Sequence, residues 1–315
     1  MKVLLPRTLP EEPPEPPAGV VYARYPSRGP VPEEHRDAEG MLVWGAGTQA
    51  LREIFPTLPR LRWVQTLAAG PDAVLDAGPP EHVLVTSGRG LHDGPVAEHT
   101  LALVLAAVRR LDRTLEAQRA HEWRPRLRRE EDPPSPRPDP FTLAGARVTV
   151  WGFGSIASRL APLLTALGAE VAGVARSAGE RHGYRVVAES QLEPELAVTD
   201  VLVMILPATP ATRRALDARR LAALPPHAWV VNVGRGATVD EEALLDALRS
   251  GRLAGAALDV TATEPLPPDS PLWDAPNVLL TPHVAGNRPV GWQELFAENC
   301  RRLLAGEPLR NLVER

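Results

Sequence analysis

The sequence predicts an α/β protein built from two doubly wound parallel sheets. Three observations carry that expectation. The chain has 315 residues, more than the ~250 at which single cores stop growing. Short strand-like segments alternate with helical ones through the first 94 residues, the pattern of a parallel sheet. The stretch Gly145–Ser177, GARVTVWGFGSIASRLAPLLTALGAEVAGVARS, reads as strand, tight turn, helix and strand in one compact unit.

In the first part, Val3–Leu5, Val20–Tyr22, Leu42–Trp44, Trp63–Thr66 and Val83–Thr86 are strand candidates, and Thr48–Ile54 and Asp72–Leu75 are helical. Pro10–Pro17 holds too much Pro and Glu for a helix or a central strand and is expected to be a surface loop. Pro95 suits the first turn of a long helix. That helix is apolar nearly all round, so burial between the domains is expected. Leu115–Trp123 continues helically, and the Pro-rich Glu131–Pro140 ends it. Within Gly145–Ser177, Arg147–Trp151 is the strand. Ile156, Leu160, Leu163, Leu164 and Leu167 give the helical spacing, and Gly168 is placed to end the helix. Strands follow at Val198–Leu206 and Ala228–Val233, then a helix at Asp240–Ser250, then strands at Ala254–Val260 and Val278–Thr281. The last helix, Val290–Leu304, is expected to return and pack on the first domain. The linkers then fall near Gly94 and Gly286, giving one domain of 1–94 plus 287–315 and another of 95–286.

A formal net charge of −4 and a pI of about 6.1 point away from nucleic acid and membrane surfaces as partners. The basic run Arg124–Arg129 is followed at once by Glu130, Glu131 and Asp132, so a solvated loop is expected there. A single cysteine, Cys300, allows neither an internal disulfide nor a multi-Cys metal site, and no metal is expected. The apolar run at the N-terminus is too short for a signal peptide, and no stretch reaches the ~20 apolar residues of a membrane span. A cytoplasmic location is the expectation.

The turn Gly152-Phe153-Gly154-Ser155-Ile156-Ala157 carries the first chemistry. Gly152 permits a sharp exit from the strand. Gly154 lets a pyrophosphate approach the backbone, and Ala157 lets helix and strand pack closely. The helix start offers N–H groups and a partial positive charge to phosphates. Residues 152–156 are therefore expected to bind a dinucleotide. An acidic residue at the end of the second strand would bind the ribose of NAD, but Ala175 stands there, followed by Arg176 and Ser177, with Arg181 nearby. No carboxylate repels a 2′-phosphate, and an arginine is placed to bind one. NADP(H) is expected, with NAD(H) as the alternative.

Ligands of a doubly wound sheet sit outside the carboxyl ends of its strands. The polar groups at those ends include Arg235, Asp259, Glu264 and His283. Arg235, Glu264 and His283 form a plausible catalytic set. A guanidinium can hold a carboxylate in fixed geometry, and a histidine titrates near neutrality and can donate a proton. A carboxylate beside that histidine raises its pKa.

These motifs resemble the D-isomer-specific 2-hydroxyacid dehydrogenases. The likeness runs from Trp63 to the C-terminus. It is carried by Trp63-Val-Gln-Thr-Leu-Ala-Ala-Gly70, Gly90-Leu-His-Asp-Gly-Pro-Val-Ala-Glu98-His99 and Leu206-Pro-Ala-Thr-Pro-Ala-Thr212. Asn232-Val-Gly-Arg235-Gly-Ala-Thr-Val-Asp240, Leu258-Asp-Val-Thr-Ala-Thr-Glu264-Pro and Thr281-Pro-His283-Val-Ala-Gly286 complete it. The resemblance implies a Rossmann cofactor domain and a smaller, flavodoxin-like substrate domain. It implies catalytic roles for Arg235, Glu264 and His283. Leu206, Pro207, Thr212, Val233, Gly234, Asp259 and Gly286 would line the cofactor. The N–H groups around Ala69 and Gly70 would hold the substrate carboxylate, together with Arg235 and His283. Asp259 would contact the nicotinamide side or support Arg235.

The implied reaction is reduction of a small 2-keto acid to the 2-hydroxy acid, as in the NADP-dependent glyoxylate/hydroxypyruvate reductases. Glu264 stands where the formate dehydrogenase branch has glutamine, and no added regulatory domain is expected beyond Arg315. A nucleotide-sensing corepressor and a reductase of bulkier 2-keto acids remain open. The family also implies a homodimer with an arm at Leu111–Pro140, whose Trp123 either reaches a neighbour's site or anchors the arm on its own subunit. His99 and Glu98 are expected to make interdomain hydrogen bonds, and His92, His121, His182 and His227 to be exposed.

Overall fold

The computed structural model describes residues 1–125, 127 and 141–314. The expected stop at Glu131–Pro140 and most of the basic run after Arg124 lie outside them. The chain divides into two compact units, Met1–His92 with Gly286–Arg315, and Asp93–Ala285.

The first unit holds five parallel strands, β1 (Lys2–Pro6), β2 (Val21–Tyr25), β3 (Gly40–Val43), β4 (Trp63–Thr66) and β5 (Leu84–Thr86), in the order β2-β1-β3-β4-β5. This is the flavodoxin-like order. β3 and β4 are buried along their whole length, because both faces of the sheet are covered. On one face Leu4, Met41, Val43 and Val64 meet Leu51 and Ile54 of α1 (Thr48–Ile54), with Val74 of α2 (Asp72–Asp76) in the same core. On the other, Val3, Leu5, Leu42 and Trp63 meet Trp292, Leu295, Phe296 and Cys300 of the last helix, Trp292–Ala305. The alternation of Val3, Leu4 and Leu5 between the two cores is the two-residue period of a strand.

The second unit opens with α3 (Asp93–Val108) and α4 (Leu111–Arg119). β6 (Arg147–Trp151), α5 (Ser155–Ala166) and β7 (Glu170–Ala175) form the nucleotide-type unit. Then come β8 (Gly179–Arg181), β9 (Tyr184–Ala188), α6 (Leu192–Leu196), β10 (Val201–Met204), α7 (Ala218–Ala223), β11 (Trp229–Asn232), α8 (Glu241–Arg249), β12 (Gly255–Leu258) and β13 (Val278–Leu280). The sheet order is β13-β12-β11-β10-β6-β7-β9-β8, antiparallel only at β8. Taken from β6 and leaving out β8, this is the doubly wound order 3-2-1-4-5-6 of the Rossmann fold, extended by one strand, with its switch point between β6 and β10.

Several expectations need correcting. The apolar run Val198–Leu206 is strand only over Val201–Met204. Asp200 just before it accepts from the Arg147 N–H at 2.7 Å and from His227 Nε2 at 2.8 Å, which fixes the strand start. β8, α6 and α7 were not foreseen, because three- to six-residue elements show too little periodicity. α3 is not apolar-buried all round: Val96, Leu103, Val104 and Val108 are buried, while Leu101 and Leu105 are only partly so. It ends before Arg110, whose φ of 56° is left-handed, and α4 ends at Arg119, ahead of His121 at φ 58°. The helix expected to reach Trp123 therefore stops four residues short of it. Trp123 is 97% exposed, so it does not anchor the arm on its own chain. His92 and His227 are not ordinary exposed residues. His92 is buried, bonds to the Leu67 carbonyl at 2.7 Å and stacks on Trp44. Among the described residues, no helix is long and apolar enough to cross a membrane, and no group of three His, Cys, Asp or Glu is placed to hold a metal.

Candidate active site

Three loops leaving the carboxyl ends of β11, β12 and β13 bring Arg235, Glu264 and His283 into one neighbourhood. After β11, Asn232 folds the chain back on itself. Its Oδ1 accepts from the Gly234 N–H at 3.0 Å and its Nδ2 donates to the Arg235 carbonyl at 3.2 Å. Two glycines let this turn pack tightly. A Cβ at Gly234 would lie 2.6 Å from the Leu206 nitrogen, and one at Gly236 would lie 1.9 Å from the Thr261 carbonyl carbon. Gly236 thus brings the Arg235 turn against the start of the Glu264 loop.

Glu264 is held from both sides. Its Oε1 accepts from the Thr261 N–H at 3.0 Å, and its Oε2 meets His283 Nδ1 at 2.6 Å. A carboxylate only accepts, so His283 Nδ1 carries the proton in this bond. Among the described residues Nε2 has no protein partner, and the side chain is half-exposed. The hydrogen bond to Glu264 raises the His283 pKa above the usual histidine value, outweighing burial and the nearby Arg235 charge. Burial pushes Glu264 up, but the bonds from His283 and Thr261 outweigh it and hold its carboxyl below the usual range. Arg235 acts on the charge of both groups.

His283 itself sits at φ 53°, a left-handed backbone that is uncommon for a residue with a Cβ. Asp259 supplies the restraint. Its carbonyl accepts from the His283 N–H at 2.8 Å. Its carboxylate, 2% exposed, accepts from Thr281 Oγ1 at 2.6 Å and from the N–H groups of Val284 and Ala285 at 2.9 and 3.1 Å. His99 of α3 joins this cluster within the same unit, rather than bonding between domains. Its Nε2 lies 3.0 Å from Thr281 Oγ1 and 3.4 Å from Asp259 Oδ1, while Glu98 is exposed. Sequence reading did not find this restraint, since the spacing of residues 99, 259 and 281 carries no local signal.

Beside the pair lies a cavity of about 670 Å³. Pro265, Leu266, Trp273, Leu280 and Pro282 form its apolar walls, with Glu264 and His283 on its lining. Trp273 is fixed by its Nε1, which donates to the Pro267 carbonyl at 2.8 Å.

The glycine turn after β6 fits a dinucleotide. Gly152 has φ 102°, and a Cβ there would lie 2.5 Å from the Ile205 carbonyl oxygen. At Gly154 a Cβ would meet nothing within 4 Å, and α5 starts without a side-chain cap. The first turn of α5 is thus left without a side-chain acceptor, as an anion site needs. Ser155 is exposed and Ile156 partly so. Phe153, Leu206 and Val233 are core side chains, 3%, 8% and 7% exposed, so side-chain contact with a cofactor is not what these positions offer. Thr212 donates its hydroxyl to the Pro207 carbonyl at 2.6 Å and holds that loop. At the end of β7, Arg176 is exposed and, among the described residues, makes no ion pair. Arg181 is tied to the same corner by bonds to Ser177 Oγ at 3.0 Å and to the Phe153 carbonyl at 3.3 Å. Ala69, Gly70 and Gly286 belong to the first unit. The 69–70 turn follows β4, and Thr66 Oγ1 accepts from the neighbouring Ala68 N–H at 3.1 Å.

The family described as "D-isomer specific 2-hydroxyacid dehydrogenase, NAD binding domain" matches residues 101–285. The chain is 33% identical over 295 residues to glyoxylate/hydroxypyruvate reductase A of Serratia proteamaculans, covering 90% of this chain and 88% of the relative. Among solved structures, a D-isomer specific 2-hydroxyacid dehydrogenase of Xanthobacter autotrophicus in complex with NADPH and MES aligns with a TM-score of 0.78. It is 33% identical, over 100% of this chain and 98% of that one. An NADPH-dependent glyoxylate/hydroxypyruvate reductase of Sinorhizobium meliloti, in complex with NADP and sulfate, aligns with a TM-score of 0.79. It is 28% identical, over 99% and 98% of the two chains.

Proposed function

The chain belongs to the D-isomer specific 2-hydroxyacid dehydrogenase family, an NAD(P)-dependent group of enzymes, and we propose that it reduces a small 2-keto acid to the D-2-hydroxy acid with NADPH. The observation that carries this reading is the 2.6 Å bond of Glu264 to His283, with Arg235 close enough to act on both charges.

Arg235 binds the substrate carboxylate and the adjoining carbonyl oxygen, fixing the keto acid for attack. When bound, the nicotinamide supplies the hydride that the carbonyl carbon accepts. The oxygen gains negative charge, and His283 Nε2 gives it a proton. Glu264 keeps the imidazolium populated at neutral pH, then stabilises the neutral ring through the same Nδ1 proton. The residues at 152–156 hold the pyrophosphate. Arg176 and Arg181, with Ser177 between them, favour a 2′-phosphate over the bare ribose of NAD. Pro207, Thr212 and Gly234 line the same cofactor.

A glyoxylate- or hydroxypyruvate-like substrate is the first reading, supported by the named relatives. The apolar walls of the 670 Å³ cavity favour a bulkier 2-keto acid as the second. We also propose a homodimer, with the exposed Trp123 as a candidate contact. The test is loss of NADPH absorbance with a panel of 2-keto acids, repeated with NADH. Turnover of none of them overturns the enzyme reading, and a preference for NADH overturns the cofactor assignment. Light scattering of the purified protein tests the dimer.

A further inference from the structure

The loop that carries His283 has no regular structure of its own, and its shape is set by one buried cluster. The cluster reaches three separate parts of the second unit: His99 on α3, Asp259 after β12, and Thr281 to Ala285 after β13. Counting protons fixes how it works. The Asp259 carboxylate accepts only, so the hydroxyl proton of Thr281 goes to Oδ1 at 2.6 Å. Thr281 Oγ1 must then accept from His99, so His99 Nε2 bears a proton in either charge state. The same Nε2–H lies 3.4 Å from Asp259 Oδ1. His99 is therefore the donor that completes the set around the hydroxyl and its carboxylate. It stands next to no reacting group itself: its contacts are Thr281 and Asp259, not Glu264 or His283.

We infer that His99 is a positioning residue for the proton donor, acting through Thr281 and Asp259 on the backbone of His283. The inference rests on the proposed role of His283. Without the His99 donor, the Thr281 hydroxyl loses its tether to α3 and can rotate off Asp259. The Asp259 carboxylate then holds the loop through Val284 and Ala285 alone. His283, at φ 53° within this loop, is then held less firmly against Glu264. The groups facing His283 are Glu264, Arg235 and Asp259; when Glu264 withdraws, the imidazolium loses its main support.

The test compares His99→Leu, which keeps bulk but no donor, with His99→Gln, whose amide restores an N–H near the Nε2 position. Both are measured in the full-length protein, with melting temperature as a control for folding. The expected result for His99→Leu is a kcat about tenfold lower, the scale of a small misplacement at a reacting group. The basic limb of its pH profile moves to lower pH, and KM for NADPH holds. His99→Gln recovers most of both changes. Wild-type kcat and pH profile in His99→Leu, or an equal loss in His99→Gln, would overturn the inference. A readout independent of turnover is the proton NMR signal of His283 Nδ1–H. It should be sharp in the wild type and His99→Gln, and broadened in His99→Leu. An unbroadened signal in His99→Leu overturns the inference even if the wild-type chain reduces no 2-keto acid, an outcome that by itself would remove only the proposed function.

Discussion

Glu264 Oε2 and His283 Nδ1 meet at 2.6 Å across 19 residues of chain, and the two groups shift each other's protonation in opposite directions. With His283 in its proposed role of proton donor, the raised histidine pKa extends reduction to higher pH, because the acid form is the one that donates. Glu264→Gln removes the charge. The basic limb of kcat/KM for reduction should fall toward about pH 6.5, the ordinary histidine value. The rate at pH 7.5 should drop roughly ten- to a hundredfold. Stability follows the same signs. The histidine's share is whole below its unfolded pKa and lost as pH rises through the folded one. The glutamate's share is whole above its unfolded pKa and lost as pH falls. The difference in melting temperature between wild type and Glu264→Gln should therefore be largest near pH 6 and shrink by pH 9; a difference that grows toward pH 9 contradicts this.

Arg176→Ala should raise KM for NADPH roughly tenfold and leave KM for NADH unchanged, since one charge-assisted contact to phosphate is lost. Arg181→Ala should do the same and also loosen the corner it ties at Ser177 and Phe153. Equal effects on the two cofactors would show that neither arginine reads the 2′-phosphate.

The two glycines of the nucleotide turn should separate fold from binding. Gly154→Ala places its methyl in open space, so the melting temperature should hold while KM for the cofactor rises. Gly152→Ala forces φ 102° on a residue with a Cβ and drives that Cβ to 2.5 Å from the Ile205 carbonyl, so the protein itself should be destabilised. Differential scanning fluorimetry with and without NADPH reads both.

Gly236→Ala should disable the site through the same kind of contact at another place. Its Cβ would lie 1.9 Å from the Thr261 carbonyl carbon, and the backbone on one side must move. Overpacking of this kind costs about 1–3 kcal/mol. The Arg235 turn and the Glu264 loop should part, so kcat should fall by more than the melting temperature alone accounts for. A variant with normal kcat would show that the two loops do not need this contact.

In the first unit, stability rests on a buried polar network rather than on chemistry. Gln65 Oε1 accepts from Thr86 Oγ1 and Asn299 Nδ2, both at 2.8 Å, and Asn299 Oδ1 accepts from the Arg310 N–H at 2.8 Å. Asn299→Leu leaves that N–H without its acceptor and should cost about 2–3 kcal/mol. Thermal unfolding should show the loss, while kcat at low temperature stays near wild type.

Much of this was readable in the residues. Gly152, Gly154, Ala157 and Gly168 mark the nucleotide unit because each solves a local backbone problem, and Gly168 does end α5, at φ 85°. Arg235, Glu264 and His283 were legible as titratable groups following apolar strands. Short elements such as β8 and α7 were not, because three to six residues are too few to show a period. Nor was the Asp259, Thr281 and His99 cluster, whose members are joined only when β12, β13 and α3 come together. His92 and Trp123 misled for a similar reason: whether a polar or aromatic side chain is covered depends on distant chain.

The clamp on the His283 loop has a consequence for how this scaffold can change its diet. Asp259 grips that loop largely through main-chain N–H groups, which every amino acid but proline supplies. Leu266, Trp273 and Leu280, which wall the adjoining cavity, take no part in that grip. His283 and its clamp share the cavity lining with these three side chains but do not lean on them, so substitutions at those three positions can reshape the cavity while the histidine stays where it is.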